Sequence, residues 1–126
     1  MDNTSIKKRI LIADDDPAIV DSLTVILEEF GYDVNSTGDG RQVYRIKNDL
    51  PDLLLLDIWM SGIDGRQICN DLKRENVTKG VPIILISAGR DIKKSANESG
   101  ADDYLEKPFT MDDLLKKVEK WTGTKN

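Results

Sequence analysis

Reactive polar side chains stand directly after four short apolar runs of this sequence. The residues are Asp14, Asp15, Asp57, Ser87 and Lys107. Carboxylates are hard ligands that suit Mg²⁺, and an aspartate can also attack a phosphoryl group to form an acyl phosphate. A nearby amine and hydroxyl can neutralise and hydrogen-bond the oxygens of such a group. The set therefore favours metal-assisted phosphoryl chemistry, provided that the fold brings its members together.

The elements that must position these side chains alternate along the chain between strand-like runs and helix-like periodicity. The predicted strands cover residues 9–13, 32–35, 53–56, 81–86 and 103–105. The predicted helices run from Pro17 to a stop at Gly31, over residues 41–48, 66–75 and 91–98, and onward from Thr110. Continuous apolar strands between helices are typical of a parallel sheet that is covered on both faces.

Capping signals mark the ends of the first and last helices. Asp16 stands at an N-cap position directly before Pro17, and Thr110 followed by Asp113 resembles a capping box. The segment 91–98 has little apolar periodicity, so its helix is predicted to be short and marginal. The second strand is less apolar than the others and is predicted at an edge of the sheet, and the tail beyond Trp121 is predicted to fray.

The carboxyl edge of a parallel sheet is where ligands bind in such folds. Asp14 and Asp15 end the first strand and Asp57 ends the third, so their carboxylates converge if these strands are neighbours. Like charges at short range raise one another's pKa unless a cation compensates. Helix capping accounts for Asp16, but it does not account for Asp14 or Asp57, because each of these follows a buried strand.

Composition excludes several classes of function. The chain has 126 residues, a net charge of −5, no histidine and a single cysteine, Cys69. These features predict one domain, disfavour direct binding of nucleic acid or an anionic membrane, and exclude a Ser-His-Asp triad or a zinc site. Glycine-rich phosphate-binding motifs are missing. A polar start and the lack of a long apolar run predict a cytoplasmic protein.

Five motifs, in this order along nearly the whole chain, resemble the receiver domain of bacterial two-component response regulators, in the stand-alone chemotaxis-type form. The motifs are Ile-Leu-Ile-Ala-Asp14-Asp15-Asp16-Pro17, Leu-Leu-Leu-Leu-Asp57, Ile63-Asp64-Gly65, Ser87-Ala88 and Gly100-Ala101-Asp102-Asp103-Tyr104-Leu105-Glu106-Lys107-Pro108-Phe109. The resemblance implies one receiver domain over residues 1–126. It also implies a flavodoxin-like (βα)5 three-layer α/β sandwich, with a five-stranded parallel sheet of order 2-1-3-4-5.

The resemblance assigns the acidic residues to acceptance of a phosphoryl group. Asp57 matches the phosphoacceptor, and Asp14 and Asp15 match an acidic pair that holds Mg²⁺, with Asp15 as a direct ligand and Asp14 acting directly or through water. The backbone carbonyl of Trp59 matches a further ligand of the metal. Mn²⁺ is a possible substitute for Mg²⁺.

Three further matches concern catalysis and switching. Ser87 matches the hydroxyl that follows the phosphoryl group, and Lys107 matches the site lysine, with a cis bond to Pro108. Tyr104 matches an aromatic residue that changes rotamer when Ser87 moves.

The resemblance also implies the partners. A sensor histidine kinase or a histidine phosphotransfer protein donates the phosphoryl group, and an output protein binds the face formed by the fourth helix, fifth strand and fifth helix. The domain acts as a monomer or as a phosphorylation-dependent dimer. It is a signalling switch that catalyses only its own phosphorylation and dephosphorylation.

Three departures from the family pattern carry expectations of their own. The family often has proline at the position of Ser61, four residues after the phosphoacceptor. The pair Ser61-Gly62 therefore predicts a looser loop. Trp59 places a large ring near the acceptor, which predicts restricted water access and slower loss of phosphate if the ring lies over the site. Gly89, two residues after Ser87, is predicted to leave the other side of the acceptor site open.

Other hypotheses compete with the function of a signalling switch. A phosphohydrolase of the haloacid-dehalogenase type needs a second aspartate two residues after the nucleophile, where this chain has Trp59. A receiver cut from a larger DNA-binding regulator or a hybrid kinase fits the sequence equally well. A pseudo-receiver that acts by protein binding alone is disfavoured by the intact set of site residues.

Overall fold

The computed structural model describes residues 7–123, and within them strands and helices alternate as the sequence predicts. The sheet strands are β1 (Arg9–Ala13), β2 (Asp33–Thr37), β3 (Leu53–Asp57), β4 (Ile83–Ser87) and β5 (Asp103–Glu106). The helices are α1 (Pro17–Glu29), α2 (Gly40–Val43), α3 (Gly65–Arg74), α4 (Ile92–Ser99) and α5 (Met111–Thr122). The tail beyond Trp121 does not fray at its first residue, because Thr122 is the buried last residue of α5 and its hydroxyl donates to the Val118 carbonyl. The rest of the predicted fraying, at 124–126, and the polar segment at 1–6 lie outside the described residues.

The five strands form one parallel sheet in the order β2-β1-β3-β4-β5. Strands β1 and β3 are neighbours, with Ala13 opposite Leu56, and Asp57 stands opposite Ile86 of β4. The predicted strand order is therefore confirmed, and β2 lies at an edge, as its weaker apolar character indicates. The register places the ends of β1, β3 and β4 side by side.

Two hydrophobic cores cover the two faces of the sheet. The side chains of β3 alternate between them, with Leu54 and Leu56 in one core and Leu53 and Leu55 in the other. The first core packs the sheet against α3 and α4, and the second packs it against α1 and α5. All four leucines are fully buried, which is why this strand reads as an unbroken apolar run. The result is the predicted three-layer sandwich.

The predicted caps are present. The Asp16 carboxylate accepts a hydrogen bond from the Ala18 amide (3.0 Å) at the start of α1. The Thr110 hydroxyl accepts one from the Asp113 amide (3.0 Å) at the start of α5. Helix α4 is short, as predicted, and the Lys107–Pro108 bond is cis. No helix within residues 7–123 is both long enough and apolar enough to span a bilayer.

The second helix differs from the prediction of one helix over residues 41–48. Only Gly40–Val43 is α-helical, and the chain continues as a 3₁₀ turn over Tyr44–Asn48. The Asp49 amide bonds to the Ile46 carbonyl, which closes this tighter turn shortly before Pro51. A 3₁₀ ending is common where a proline prevents the helix from continuing.

A short hairpin, and not the predicted loop, follows β3. Its two-residue strands, Trp59–Met60 and Ile63–Asp64, pair antiparallel around Ser61 and Gly62. Both turn residues have positive φ (50° and 77°), as a type I′ hairpin turn requires. The Ser61 amide donates to Asp15 and its hydroxyl donates to the Gly38 carbonyl, each at 2.8 Å, so two hydrogen bonds tie the turn to the rest of the domain. The looser loop stays a prediction.

The second strand begins and ends later than residues 32–35. Tyr32 is buried at the end of α1, where its amide donates to the Leu27 carbonyl. At the other end, the Asp14 amide donates to the Thr37 carbonyl (3.0 Å), which extends the pairing with β1. The fifth strand is one residue longer than predicted, since Glu106 pairs with Ser87.

Candidate functional site

Three carboxylates meet at the carboxyl edge of the sheet. Asp14 and Asp15 directly follow β1, and Asp57 is the last residue of β3. One oxygen from each lies within 4.8 Å of the others. Asp14 and Asp57 are buried, whereas Asp15 is exposed. Parallel pairing of two neighbouring strands therefore brings together side chains that are more than forty residues apart in the sequence.

Hydrogen bonds hold the two carboxylates that follow β1. One oxygen of Asp14 accepts from the Asp16 amide at 3.0 Å. Oδ2 of Asp15 accepts from the Ser61 amide at 2.8 Å, which links the exposed carboxylate to the hairpin after β3. The hairpin therefore fixes one edge of the acidic group.

The amine of Lys107 lies against the acidic group. Its Nζ is 3.2 Å from Oδ2 of Asp14 and 3.6 Å from Oδ1 of Asp57. The backbone helps to place it, because the Lys107 amide donates to the Ser87 carbonyl at 2.8 Å. The lysine is thus a counter-charge for two buried carboxylates, and it approaches the acceptor candidate from the side of β5.

The hydroxyl of Ser87 lies at the end of β4, beside the strand that carries Asp57. Ser87 is buried, and its Oγ accepts a hydrogen bond from the Gly89 amide at 3.0 Å. Ser87 and Gly89 line a cleft of about 170 Å³ together with Trp59 and Arg66. Trp59 is 61% exposed, so its side chain lines this cleft without being buried in it.

Tyr104 lies farther from the carboxylates, in the middle of β5 opposite Leu85. Its side chain is half-buried against the core that α3 and α4 share, and the Lys117 amine lies 4.8 Å from its ring centroid. The Lys117 amine and the Trp121 indole both donate to Asp103, at 2.6 and 2.8 Å. The face next to α5 therefore carries a fixed cluster of charge and aromatic rings around Tyr104.

The electrostatics of the site single out Asp57. Burial, followed by the negative charge of Asp14, raises the pKa of Asp57 to about 6, although Lys107 opposes the shift. One lysine does not balance three carboxylates, so ionised Asp57 is left without full compensation. Hard oxygen donors at this spacing, one of them exposed, fit a divalent cation such as Mg²⁺. Asp14, Asp15 and Asp57 are the residues that could hold it.

The raised pKa of Asp57 predicts a pH-dependent cost to stability. Because the folded state holds the proton more tightly than the unfolded state, ionisation of Asp57 lowers the free energy of unfolding as the pH rises from about 4 to 7. Asp57→Asn should therefore be as stable as wild type near pH ~4 and about 2–3 kcal/mol more stable near pH ~7.5, without metal. Urea unfolding across this range tests the prediction. A variant that is less stable at neutral pH would contradict it.

Gly65 and Arg66 contribute to the site, although neither is among the predicted site residues. Gly65 starts α3, and a Cβ there would collide with the backbone carbonyl of Asp57. Arg66 stands two residues after Asp64, which is the N-cap of α3, and its guanidinium reaches the Asp64 carboxylate. The arginine's contact with Trp59 depends on the hairpin and was not predictable from spacing.

The fold and this acidic edge define an α/β domain of the receiver type, and comparison with known proteins gives the family. The profile of the response regulator receiver domain matches residues 10–119. The chain therefore belongs to the receiver-domain family of two-component response regulators, whose members are signalling switches.

Two curated relatives are DNA-binding regulators. The chain is 41% identical over 113 residues to the DNA-binding dual master transcriptional regulator RpaA of Synechocystis sp., which covers 87% of this chain and 47% of that protein. It is 38% identical over 117 residues to the DNA-binding response regulator MtrA of Mycolicibacterium smegmatis, which covers 90% and 50%. The chain thus spans about half the length of these relatives.

Solved structures share the fold. The response regulator TrrA from Thermotoga maritima, in complex with Mg²⁺ and BeF, is 33% identical, with a TM-score of 0.82 over 90% of this chain and 98% of that one. The receiver domain of the sensor histidine kinase PA1611 from Pseudomonas aeruginosa has a magnesium ion coordinated in its active-site cleft. It is 26% identical, with a TM-score of 0.84 over 94% and 99% of the two chains.

Proposed function

We propose that this receiver accepts a phosphoryl group on Asp57 from a phosphohistidine partner and thereby switches a protein-binding surface. The observation that carries the proposal is the position of Asp57, buried at the end of β3 with Asp14, Asp15 and Lys107 around it. A carboxylate in this setting can act as a nucleophile toward phosphorus. The chain's 126 residues act as a single receiver domain.

The chemical step transfers the phosphoryl group between two nucleophiles. A carboxylate oxygen of Asp57 attacks the phosphorus, the bond from phosphorus to the donor's imidazole nitrogen breaks, and the imidazole leaves with the electron pair. Asp57 must be ionised to attack, which its pKa of about 6 allows at neutral pH. The donor is a sensor histidine kinase or a histidine phosphotransfer protein.

The residues around Asp57 would hold Mg²⁺ and receive the transferred charge. Asp14, Asp15, Asp57 and the backbone carbonyl of Trp59 form the proposed ligand set, which Mn²⁺ would also fit. When bound, the cation offsets negative charge on the carboxylates and on the phosphoryl oxygens. Lys107 supplies the second positive charge, with its Nζ 3.6 Å from Oδ1 of Asp57.

The response to phosphorylation involves β4 and β5. The Ser87 hydroxyl would leave the Gly89 amide and donate to a phosphoryl oxygen, and Tyr104 would turn inward behind it. This change biases the face formed by α4, β5 and α5 between two states that an output partner binds with different affinity. The domain acts as a monomer or a phosphorylation-dependent dimer, and it makes no direct contact with nucleic acid.

Intact-mass spectrometry tests the proposal. Incubation with acetyl phosphate and Mg²⁺ should add one phosphoryl group, about 80 Da, and EDTA should prevent the gain. An adduct that forms equally well in EDTA would contradict the metal-assisted step. The absence of any adduct, together with no binding of the phosphoryl mimic beryllofluoride, would contradict phosphoryl acceptance itself.

Lys107→Ala should separate phosphorylation from switching. The variant loses the amine that contacts Asp14 and Asp57, so we expect slower labelling and no phosphorylation-dependent change at Tyr104. Labelling is measured by mass, and the Tyr104 environment by NMR of a ring-labelled sample with beryllofluoride. Lys117→Ala is the matched control, since its amine lies near Tyr104 but pairs with Asp103, and it should be labelled at the wild-type rate. A full Tyr104 response in Lys107→Ala would contradict the assigned role.

A further inference from the structure

The turn of the hairpin after β3 has a backbone conformation that is rare for its residue type. Within residues 7–123, Ser61 is the only residue other than glycine with a positive φ, at 50°. Side chains seldom adopt this left-handed region, and residues that do so cluster at functional sites. Met60, directly before the turn, is buried, so the conformation at Ser61 determines where its amide points.

Ser61 holds Asp15 from two directions. Its amide donates to Oδ2 of Asp15, and its hydroxyl donates to the Gly38 carbonyl, each at 2.8 Å. Gly38 packs directly on the backbone of Asp15, because a Cβ there would lie 3.6 Å from Cα of Asp15. Ser61 itself lies outside the paired residues of the hairpin. One turn residue therefore ties the hairpin both to the Asp15 carboxylate and to the loop behind it.

Asp15 needs such a tie more than the other two carboxylates of the site do. Asp14 and Asp57 are buried, whereas Asp15 is exposed, so packing does little to select one conformer of its side chain. The bond from the Ser61 amide is the only hydrogen bond that the described residues give this carboxylate. A carboxylate has two oxygens with about four lone-pair sites, so this bond leaves capacity to bind a cation.

We propose that Ser61 is a positioning residue for the metal site: it holds the Asp15 carboxylate in the conformation that binds Mg²⁺ and so raises the affinity of the domain for the cation. The inference rests on the proposed function and adds a determinant of its metal affinity. The hydroxyl fixes the turn, and the amide fixes the carboxylate. Loss of a hydrogen bond that orients a metal ligand typically weakens metal binding about 10- to 100-fold.

Removal of the amide proton alone is the most direct test. An ester in place of the peptide bond between Met60 and Ser61 replaces the N–H by an oxygen and keeps the side chain. Binding of Mn²⁺ to the unphosphorylated protein is measured by EPR of the free ion, and the ester should raise the dissociation constant about tenfold. Ser61→Ala keeps the amide but frees the turn from Gly38, so it should raise the constant about two- to fivefold.

Two further measurements separate positioning from a general loss of structure. The Mg²⁺ concentration that half-saturates phosphorylation by acetyl phosphate should rise in both variants, whereas the rate at saturating Mg²⁺ should stay within about twofold of wild type. Hydrogen exchange reports the bond itself. The Ser61 amide should be protected in wild type, and its protection should fall in Ser61→Ala and in Asp15→Ala.

Ser36→Ala is the matched control, because this exposed serine of β2 makes no side-chain hydrogen bond to another described residue. It should leave Mn²⁺ affinity unchanged. In an Asp15→Ala background the ester should have no further effect. An ester that binds Mn²⁺ as wild type does, or an ester effect that persists in Asp15→Ala, would overturn the inference alone. Failure of wild type to bind Mn²⁺ or Mg²⁺ would overturn the metal-assisted step of the proposed function as well.

Discussion

Asp57→Asn should abolish phosphoryl uptake, with a rate at least about 10³-fold below that of wild type. The introduced amide keeps the shape of the side chain but lacks an ionised oxygen that can attack phosphorus. The alternative acceptors differ in environment: Asp14 is paired with Lys107 at 3.2 Å, and Asp15 accepts from the Ser61 amide. The measurement is the rate of mass gain with acetyl phosphate and Mg²⁺.

Asp16→Asn is the matched control for this substitution. Asp16 belongs to the same acidic run, but its carboxylate caps α1 by accepting from the Ala18 amide. Asparagine is an equally good N-cap, so the variant should fold normally and take up phosphate at a rate close to that of wild type. Uptake by Asp57→Asn at a comparable rate would show that another residue is the acceptor.

Gly65→Ala should unfold or severely distort the site, at a cost of about 3 kcal/mol or more in the free energy of unfolding. A Cβ at this position collides with the backbone carbonyl of Asp57, and it also comes within 3.0 Å of Cα of Ile58. Backbone atoms at the end of β3 can move only by shifting the acceptor or the hairpin. Urea denaturation measures the loss of stability, and the phosphorylation rate of the folded fraction measures the distortion.

Gly80→Ala is the matched control, because no atom of the described residues, apart from Gly80 and its two chain neighbours, lies within 4 Å of the Cβ position there. It should change the free energy of unfolding by about 0.5–1 kcal/mol at most and leave uptake of phosphate unaltered. If Gly65→Ala were as stable and as active as Gly80→Ala, the close approach between α3 and the acceptor strand would not be a constraint on this fold.

Local and periodic signals were enough to predict most of the fold. The four leucines of β3 read as a buried strand because alternate side chains enter different cores. The N-caps at Asp16 and Thr110 were readable because capping depends on one residue type at one position. The structure of residues 40–48 was harder to predict. A helical pattern does not distinguish a continuous α-helix from one α-helical turn followed by a 3₁₀ turn.

The candidate site likewise has parts that the sequence predicts and parts that it does not. Asp14, Asp57 and Lys107 could be placed at one edge because the ends of parallel strands determine where they lie. The ties of Ser61 to Asp15 and Gly38, and the stacking of Arg66 on Trp59, depend on a two-residue hairpin. Its turn was visible in Ser61-Gly62, but strands of two residues carry too short a pattern for a period to be detected.

The most direct test of the central claim is to locate the phosphoryl group by chemical trapping. Borohydride reduces an aspartyl phosphate to homoserine, so protein treated with acetyl phosphate and Mg²⁺ should yield homoserine at one position in tandem mass spectrometry. We predict that this position is 57 and that EDTA abolishes the product. Homoserine at position 14 or 15, or modification of a serine that borohydride leaves intact, would contradict the assignment of Asp57 as the acceptor.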